Sequence, residues 1–210
     1  MKWTDKIEVT NEDNMALMAR YPDNYFDLAI VDPPYGIKDK IISGGETNNK
    51  IKIQKGLEKF DVVPSGKYFN ELFRVSKNQI IWGGNYFVKH LTHSRGWIVW
   101  DKKIPEKMSF AMCEMAYTSF NKNAKIYKSI VGKKTFHPTE KPIKLYRWLL
   151  QNYAKEGYKI LDTHLGSGSI AIACHELRFE LTACELDAEY YEAAHKRFQQ
   201  QTAQLRLNLA

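Results

Sequence analysis

The chain has 210 residues, 44% of them hydrophobic, which suits one domain whose core carries a sheet and several helices. No apolar run is long enough to span a bilayer and no export signal is visible, so the expectation is a cytoplasmic protein without a membrane partner. The formal charge is +7, and it is concentrated: residues 38–59 carry net +3 and residues 121–144 net +6. Such clusters suit either a polyanionic partner or solvated loops, and charge alone leaves both open. Cys113, Cys174 and Cys184 form neither a CxxC pair nor an even set, which argues against a disulfide scaffold and for core packing.

Taken in order, Ile7–Thr10 reads as a short strand and Met15–Arg20 as a helix. Leu28–Val31 is a continuous apolar run stopped by Asp32-Pro33-Pro34, as expected of a buried parallel strand meeting a loop. Residues 36–59 are polar and basic, too long a connection to be a simple turn. Tyr68–Val75 follows as a helix and Gln79–Trp82 as a strand leaving through Gly83-Gly84. Trp97–Trp100 and Glu114–Phe120 are further strands, and residues 121–136 form a second basic stretch. A helix starts near Pro142, with Thr139 or Glu140 as its cap. Tyr158–Leu161 is a strand, Ser169–Leu177 a helix, Leu181–Cys184 a strand, and Asp187 caps a last helix to about Gln200. Among the scattered aromatics Tyr25, Phe26, Trp82, Tyr86 and Phe87 could stack on bases, although core packing is the commoner use.

Three segments carry chemistry. Asp32-Pro33-Pro34-Tyr35 is stiff, because each proline holds its predecessor extended, so a carboxylate, a carbonyl and an aromatic ring face one place. Two acceptors on the N–H bonds of a conjugated amino group would favour the pyramidal nitrogen that attack requires. By itself the triplet is more often a turn. The run Asp162 to Ser169 joins a strand end to a small-residue turn, and Glu185 lies 19 residues beyond Gly166, where a carboxylate can take a ribose hydroxyl pair. His137-Pro138-Thr139-Glu140-Lys141-Pro142 alone is a helix entrance, and no second His or Cys stands at metal-ligand spacing.

Together these segments resemble the amino-methyltransferases of DNA, in the permuted β class where the catalytic motif precedes the cofactor motif. The resemblance spans most of the chain. It implies an α/β Rossmann-like fold, a single domain over residues 1–210, and a mainly parallel seven-stranded sheet with one antiparallel strand, circularly permuted so that Ile7–Thr10 follows the last helix in space. It also implies N6-adenine methylation in a restriction–modification setting, with S-adenosylmethionine as donor, double-stranded DNA as partner, a flipped-out base and no metal ion. Cytosine N4 is the alternative, but an acid at position 32 is commoner in the family with adenine. A non-catalytic DNA-binding protein of this fold is a further alternative, and a homodimer is as open as a monomer.

Asp32, Pro33, Pro34 and Tyr35 match the family's catalytic motif. Asp13, His137, Thr139, Lys141, Asp162, Leu165, Gly166, Ser167, Gly168, Ser169 and Glu185 fall on its cofactor segments. Residues 36–59 and 121–136 are the expected recognition loops, with Lys38, Lys40, Lys50, Lys52, Lys122, Lys125, Lys133 and Lys134 toward phosphates. The chain departs from the family pattern at Thr163-His164, where Pro-Phe or Pro-Tyr is usual, at Ser169 for Thr, and at Glu12 for Gly.

Overall fold

The computed structural model describes residues 1–37, 61–107, 111–130, 136–137 and 139–207, with side chains to residue 203. Its strands are β1 (Ile7–Asn11), β2 (Leu28–Val31), β3 (Gln79–Trp82), β4 (Ile98–Asp101), β5 (Cys113–Thr118), β6 (Lys125–Lys128), β7 (Lys159–Asp162) and β8 (Glu180–Glu185). The helices are α1 (Asn14–Ala19), α2 (Gly66–Val75), α3 (Ile143–Tyr153), α4 (Ser169–Glu176) and α5 (Ala188–Leu207). The strands form one sheet in the order β1-β8-β7-β2-β3-β5-β4-β6. β5 alone runs against its neighbours, pairing antiparallel with β3 and β4.

The apolar runs β2 and β3 are buried along their whole length, because helices cover both faces of the sheet. Alternate residues serve opposite faces. Leu28, Ile30, Ile80, Trp82 and Ile160 pack with α3, α4 and α5, whereas Ala29, Val31, Ile81 and Leu161 pack with α1 and α2. On α3, Leu145, Tyr146, Leu149, Leu150 and Tyr153 recur at helical spacing and form its buried stripe.

The expected permutation is present in the pairing: β1 lies parallel to β8, with Ile7 opposite Leu181 and Asn11 opposite Glu185. The first strand of the chain thus sits beside the last. The structure adds β6 to the seven expected strands, inside the stretch assigned to a recognition loop, where it pairs with β4 as a sheet edge. Only its alternating exposure marks it as a strand.

The expected helix caps need one correction. Asp187 Oδ1 accepts from Tyr190 N and does cap α5, but the N-cap position of α3 is Pro142 itself, while Thr139 contacts His137 and Glu140 pairs with Arg197. Cys174 and Cys184 are core residues, whereas Cys113 is exposed. Phe26, Trp82 and Phe87 are buried as well. No helix among the described residues is long and apolar enough to cross a membrane.

Candidate active site

Four neighbouring parallel strands, β1, β8, β7 and β2, end along the same edge of the sheet. Each delivers an acid there: Asp13 just beyond β1, Glu185 at the end of β8, Asp162 at the end of β7, and Asp32 directly after β2. In an α/β sheet this carboxyl edge is where ligands bind.

Asp32 is held at both oxygens. Tyr35 donates its hydroxyl to Oδ1 at 2.5 Å, and Lys141 Nζ donates to Oδ2. Lys141 comes from just before α3 and is 4% exposed. Its ammonium also lies 3.0 Å from Glu114 Oε2, and Lys102 Nζ lies 2.6 Å from the other Glu114 oxygen. The contact to Oε2 is an ion pair without the alignment of a hydrogen bond. Burial raises the Asp32 carboxyl above its usual range, and the adjacent Lys141 charge opposes that rise. Glu114 feels the same burial, but Lys141 and Lys102 together hold it down at about 2.

The loop after β3 shapes the other side of Tyr35. Gly83 has φ of +68°, and a Cβ there would lie 2.2 Å from Tyr35 Cε1, so only glycine lets the tyrosine ring lie against this turn. Tyr86, 47% exposed, stacks on Tyr35 with centroids 5.1 Å apart.

Across β7 the glycine turn meets Glu185, whose Oε2 accepts from Gly166 N at 2.8 Å and whose Oε1 accepts from Asp187 N at 3.0 Å. Arg197 on α5 fixes the turn from behind, donating to Ser167 O and Ser169 Oγ while pairing with Glu140 at 2.7 Å. Burial raises Glu185 above the usual carboxylate range. Asp162 accepts only the His164 N–H at 3.0 Å among the described contacts, and burial, reinforced by the charges of Asp32 and Glu185, pushes it up to about 8. Among the described residues, this half of the site therefore holds acid groups without a matching cation.

Known proteins resemble this chain in sequence and fold. The family model described as DNA methylase, covering N6 and N4 enzymes, matches residues 55–196. The chain belongs to that DNA methylase family. The match takes in the glycine turn, Glu185 and His137 through Pro142, and begins after Tyr35. The type II methyltransferase M.HpaI of Haemophilus parainfluenzae is 25% identical over 83% of this chain and 68% of its own. The M1.HpyAVI–SAM complex superposes with TM-score 0.62 at 18% identity, covering 91% of this chain and 99% of that one. The cytosine-N4-specific PvuII DNA methyltransferase gives TM-score 0.63 at 10% identity, covering 94% of this chain and 92% of that one.

In this methylase the structure places the four motif residues on the same sheet edge as Asp162, Glu185 and the glycine turn, and it gives two of the expected cofactor residues protein partners of their own. Lys141, grouped above with the cofactor residues, contacts Asp32 and Glu114. Asp13 caps α1 through Met15 N at 2.8 Å. His137 lies against the turn, since a Cβ on Gly166 would approach its ring to 3.2 Å, and its ring also packs on Tyr190. Leu165 is buried beneath the turn. Gly168 has φ of +75°, and a Cβ there would meet Ala194 of α5 at 3.3 Å, so its small size serves the packing of that helix.

Of the lysines, Lys38, Lys40, Lys50, Lys52, Lys133 and Lys134 lie outside the described residues. Lys122 and Lys125 bond to Asn152 near the far end of α3, roughly 15 Å of helix from Lys141. They are not beside Asp32.

The departures from the family pattern also have partners. Tyr68 OH lies 2.7 Å from Thr163 Oγ1, Thr163 lies 2.9 Å from His164 Nδ1, and Asn14 lies 3.1 Å from His164 Nε2, which makes one polar chain beneath the turn. Glu12 pairs with Arg20. Glu114, Lys102, Arg197 and Tyr68 carried no sequence signal of their own.

Proposed function

We propose that this methylase transfers a methyl group from S-adenosylmethionine to the N6 amino group of adenine in double-stranded DNA. The observation that carries the reading is Asp32 with Tyr35 at the end of β2, on the same sheet edge as the glycine turn and Glu185. The cofactor, when bound, supplies an electrophilic methyl on a sulfonium. The residues present fit such a ligand: Glu185 suits the ribose, and Asp162 and Glu185, which pair with no cation among the described residues, suit a cation.

Asp32 and the Pro33 carbonyl accept from the exocyclic amino group and favour a pyramidal nitrogen, while Tyr35 offers its ring to the base. A carboxylate has about four lone-pair sites, so Asp32 can accept from the amino group while Tyr35 and Lys141 keep their bonds. The base reaches this edge only when flipped from the duplex. Lysines of residues 38–59 together with Lys133 and Lys134 are the proposed phosphate contacts. An acid at position 32 favours adenine on the family resemblance, and the likeness to a cytosine-N4-specific enzyme keeps cytosine N4 as the second reading.

The test is nucleoside analysis of DNA treated with the protein and labelled cofactor, beside an Asp32→Ala variant. N6-methyladenine is expected, with the variant slower by on the order of a hundredfold or more and its cofactor affinity retained. N4-methylcytosine would replace the base assignment, and an absence of transfer would overturn the reading.

A further inference from the structure

We propose that Lys141 is a positioning residue for the reaction, clamped between Asp32 and Glu114 so that its ammonium orients and charge-balances the Asp32 carboxylate. This rests on the amino-methyltransferase reading of Asp32. The geometry is specific. Lys141 is 4% exposed, donates to Asp32 Oδ2, lies 3.0 Å from Glu114 Oε2, and has Tyr35 OH at 3.4 Å for its third donor. Its ammonium also sits 5.2 Å from the Trp82 ring centroid and 5.9 Å from that of Tyr35, faces that favour a cation. An ammonium so surrounded is neither base nor nucleophile. It holds a charge in place.

The four groups Asp32, Lys141, Glu114 and Lys102 alternate in sign and sum to zero. Lys102 reaches only Glu114 of the two acids, so Glu114 would stay ionised without Lys141, and Asp32 would be left buried beside a like charge. A proton would then go to Asp32. In methyl transfer the sulfur–carbon bond breaks with its electrons going to sulfur, the nitrogen–carbon bond forms, and the nitrogen gives up one proton to the Asp32 carboxylate. That carboxylate must be ionised beforehand. Asp32 also faces Tyr35, Tyr68 and Tyr146, whose hydroxyls are pushed up by burial and stay neutral, and Asp162, which burial raises to about 8 in the parent and which the Lys141 charge holds down, so the NMR titration of Asp32 itself separates the two carboxyls in each variant.

The test compares pH profiles of single-turnover methyl transfer for the parent, Lys141→Met, Lys141→Arg and Glu114→Gln. Removing an opposite charge at this distance raises a carboxyl by about one to three units, so the acidic limb of Lys141→Met should move up. The rate near neutral pH then falls about tenfold or more and recovers in alkali. Lys141→Arg should keep the parental limb, and Glu114→Gln should move it down, because the charge that repels the Asp32 carboxylate is gone while Lys141 keeps its bond to Asp32. Should the Met variant not fold, the Glu114→Gln shift alone decides. Carbon-13 NMR of labelled aspartates, with Asp32→Asn as the assignment reference, reads the same titration without cofactor. An unmoved limb overturns the inference, as does a Lys141→Met variant that loses S-adenosylmethionine affinity at constant limb position. A parent that transfers no methyl group at any pH sinks the methyltransferase reading instead, and the NMR titration still decides the pairing.

Discussion

Replacing Asp162 by Asn should stabilise the ligand-free protein at neutral pH and weaken the cofactor. Asp162 is 2% exposed and its carboxyl is pushed to about 8, with burial as the largest cause. A carboxyl raised on folding contributes stability that is complete below its unfolded value, about 4, and lost as pH rises through about 8. At pH 7 the gap between ambient pH and the unfolded value is about three units, or ~4 kcal/mol at 1.36 kcal/mol per unit. Relaxation of the site reduces this, and about 2 kcal/mol is a fair expectation. Asn keeps an acceptor for His164 N and carries no proton-linked cost. For a chain of this size the gain corresponds to roughly 4–8 °C in Tm. Melting curves from pH 4 to 9 should show parent and variant converging in acid and separating toward pH 8. His164, pushed down to about 4 by burial, contributes stability that is lost as pH falls below about 6.5, but it is common to both chains and cancels in the difference. A gap that is the same at pH 5 and pH 8 would refute the reasoning.

Two further changes probe the supports of the site. Gly83→Ala places a Cβ 2.2 Å from Tyr35 Cε1 at φ of +68°, so beyond a left-handed strain of about 1–2 kcal/mol it should displace the tyrosine from Asp32. A tenfold or larger loss of transfer rate with unchanged cofactor affinity by calorimetry is expected; an unchanged rate would remove Tyr35 positioning from the account. Arg197→Met deletes the donors to Ser167 O and Ser169 Oγ and the pair with Glu140. Calorimetry should find S-adenosylmethionine bound roughly tenfold more weakly, the equivalent of about one charged hydrogen bond, and equal affinity would make the clamp irrelevant to the turn.

How much of this was legible in the sequence follows from what each residue's neighbours are. β2 is buried on both faces and reads as an unbroken apolar run, while β3 and β7 read as short apolar runs after Gln79 and Lys159; each ends at turn residues, which also placed Asp32 and Asp162 at strand ends. β6 is an edge strand with a lysine at each end, and its Lys-Ile-Tyr-Lys passes for loop. Glu114 lies in an alternating strand where a carboxylate looks solvent-facing, and nothing local reveals that Lys141 crosses to it. The family resemblance placed Lys141 with His137, which does lie on the glycine turn, among the cofactor residues; a lysine stem is long enough to reach Asp32 from there. Arg197 looks like one more charge on a solvated helix until α5 is packed behind the turn.

Three of the four acids on the sheet edge, Asp32, Glu185 and Asp162, are accommodated in different ways, and the difference divides the site. Asp32 carries its own cation, Lys141. Glu185 is answered by the N–H groups of Gly166 and Asp187, which are dipoles and leave its charge in place. Asp162 has one such N–H and otherwise answers burial by holding a proton. A cationic ligand arriving at this edge thus gains most beside Asp162 and Glu185, where no cation stands among the described residues, and least beside Asp32, where an ammonium already stands. Attraction of the proposed sulfonium to the first pair also favours release of the Asp162 proton on binding, so the affinity should rise with pH up to about 8. Loss of the methyl group leaves a neutral thioether and removes that gain, which makes the spent cofactor the weaker ligand above pH 8. Calorimetry of both forms across this range would read the difference, and equal pH dependence for the two would mean that Asp162 does not sense the sulfonium.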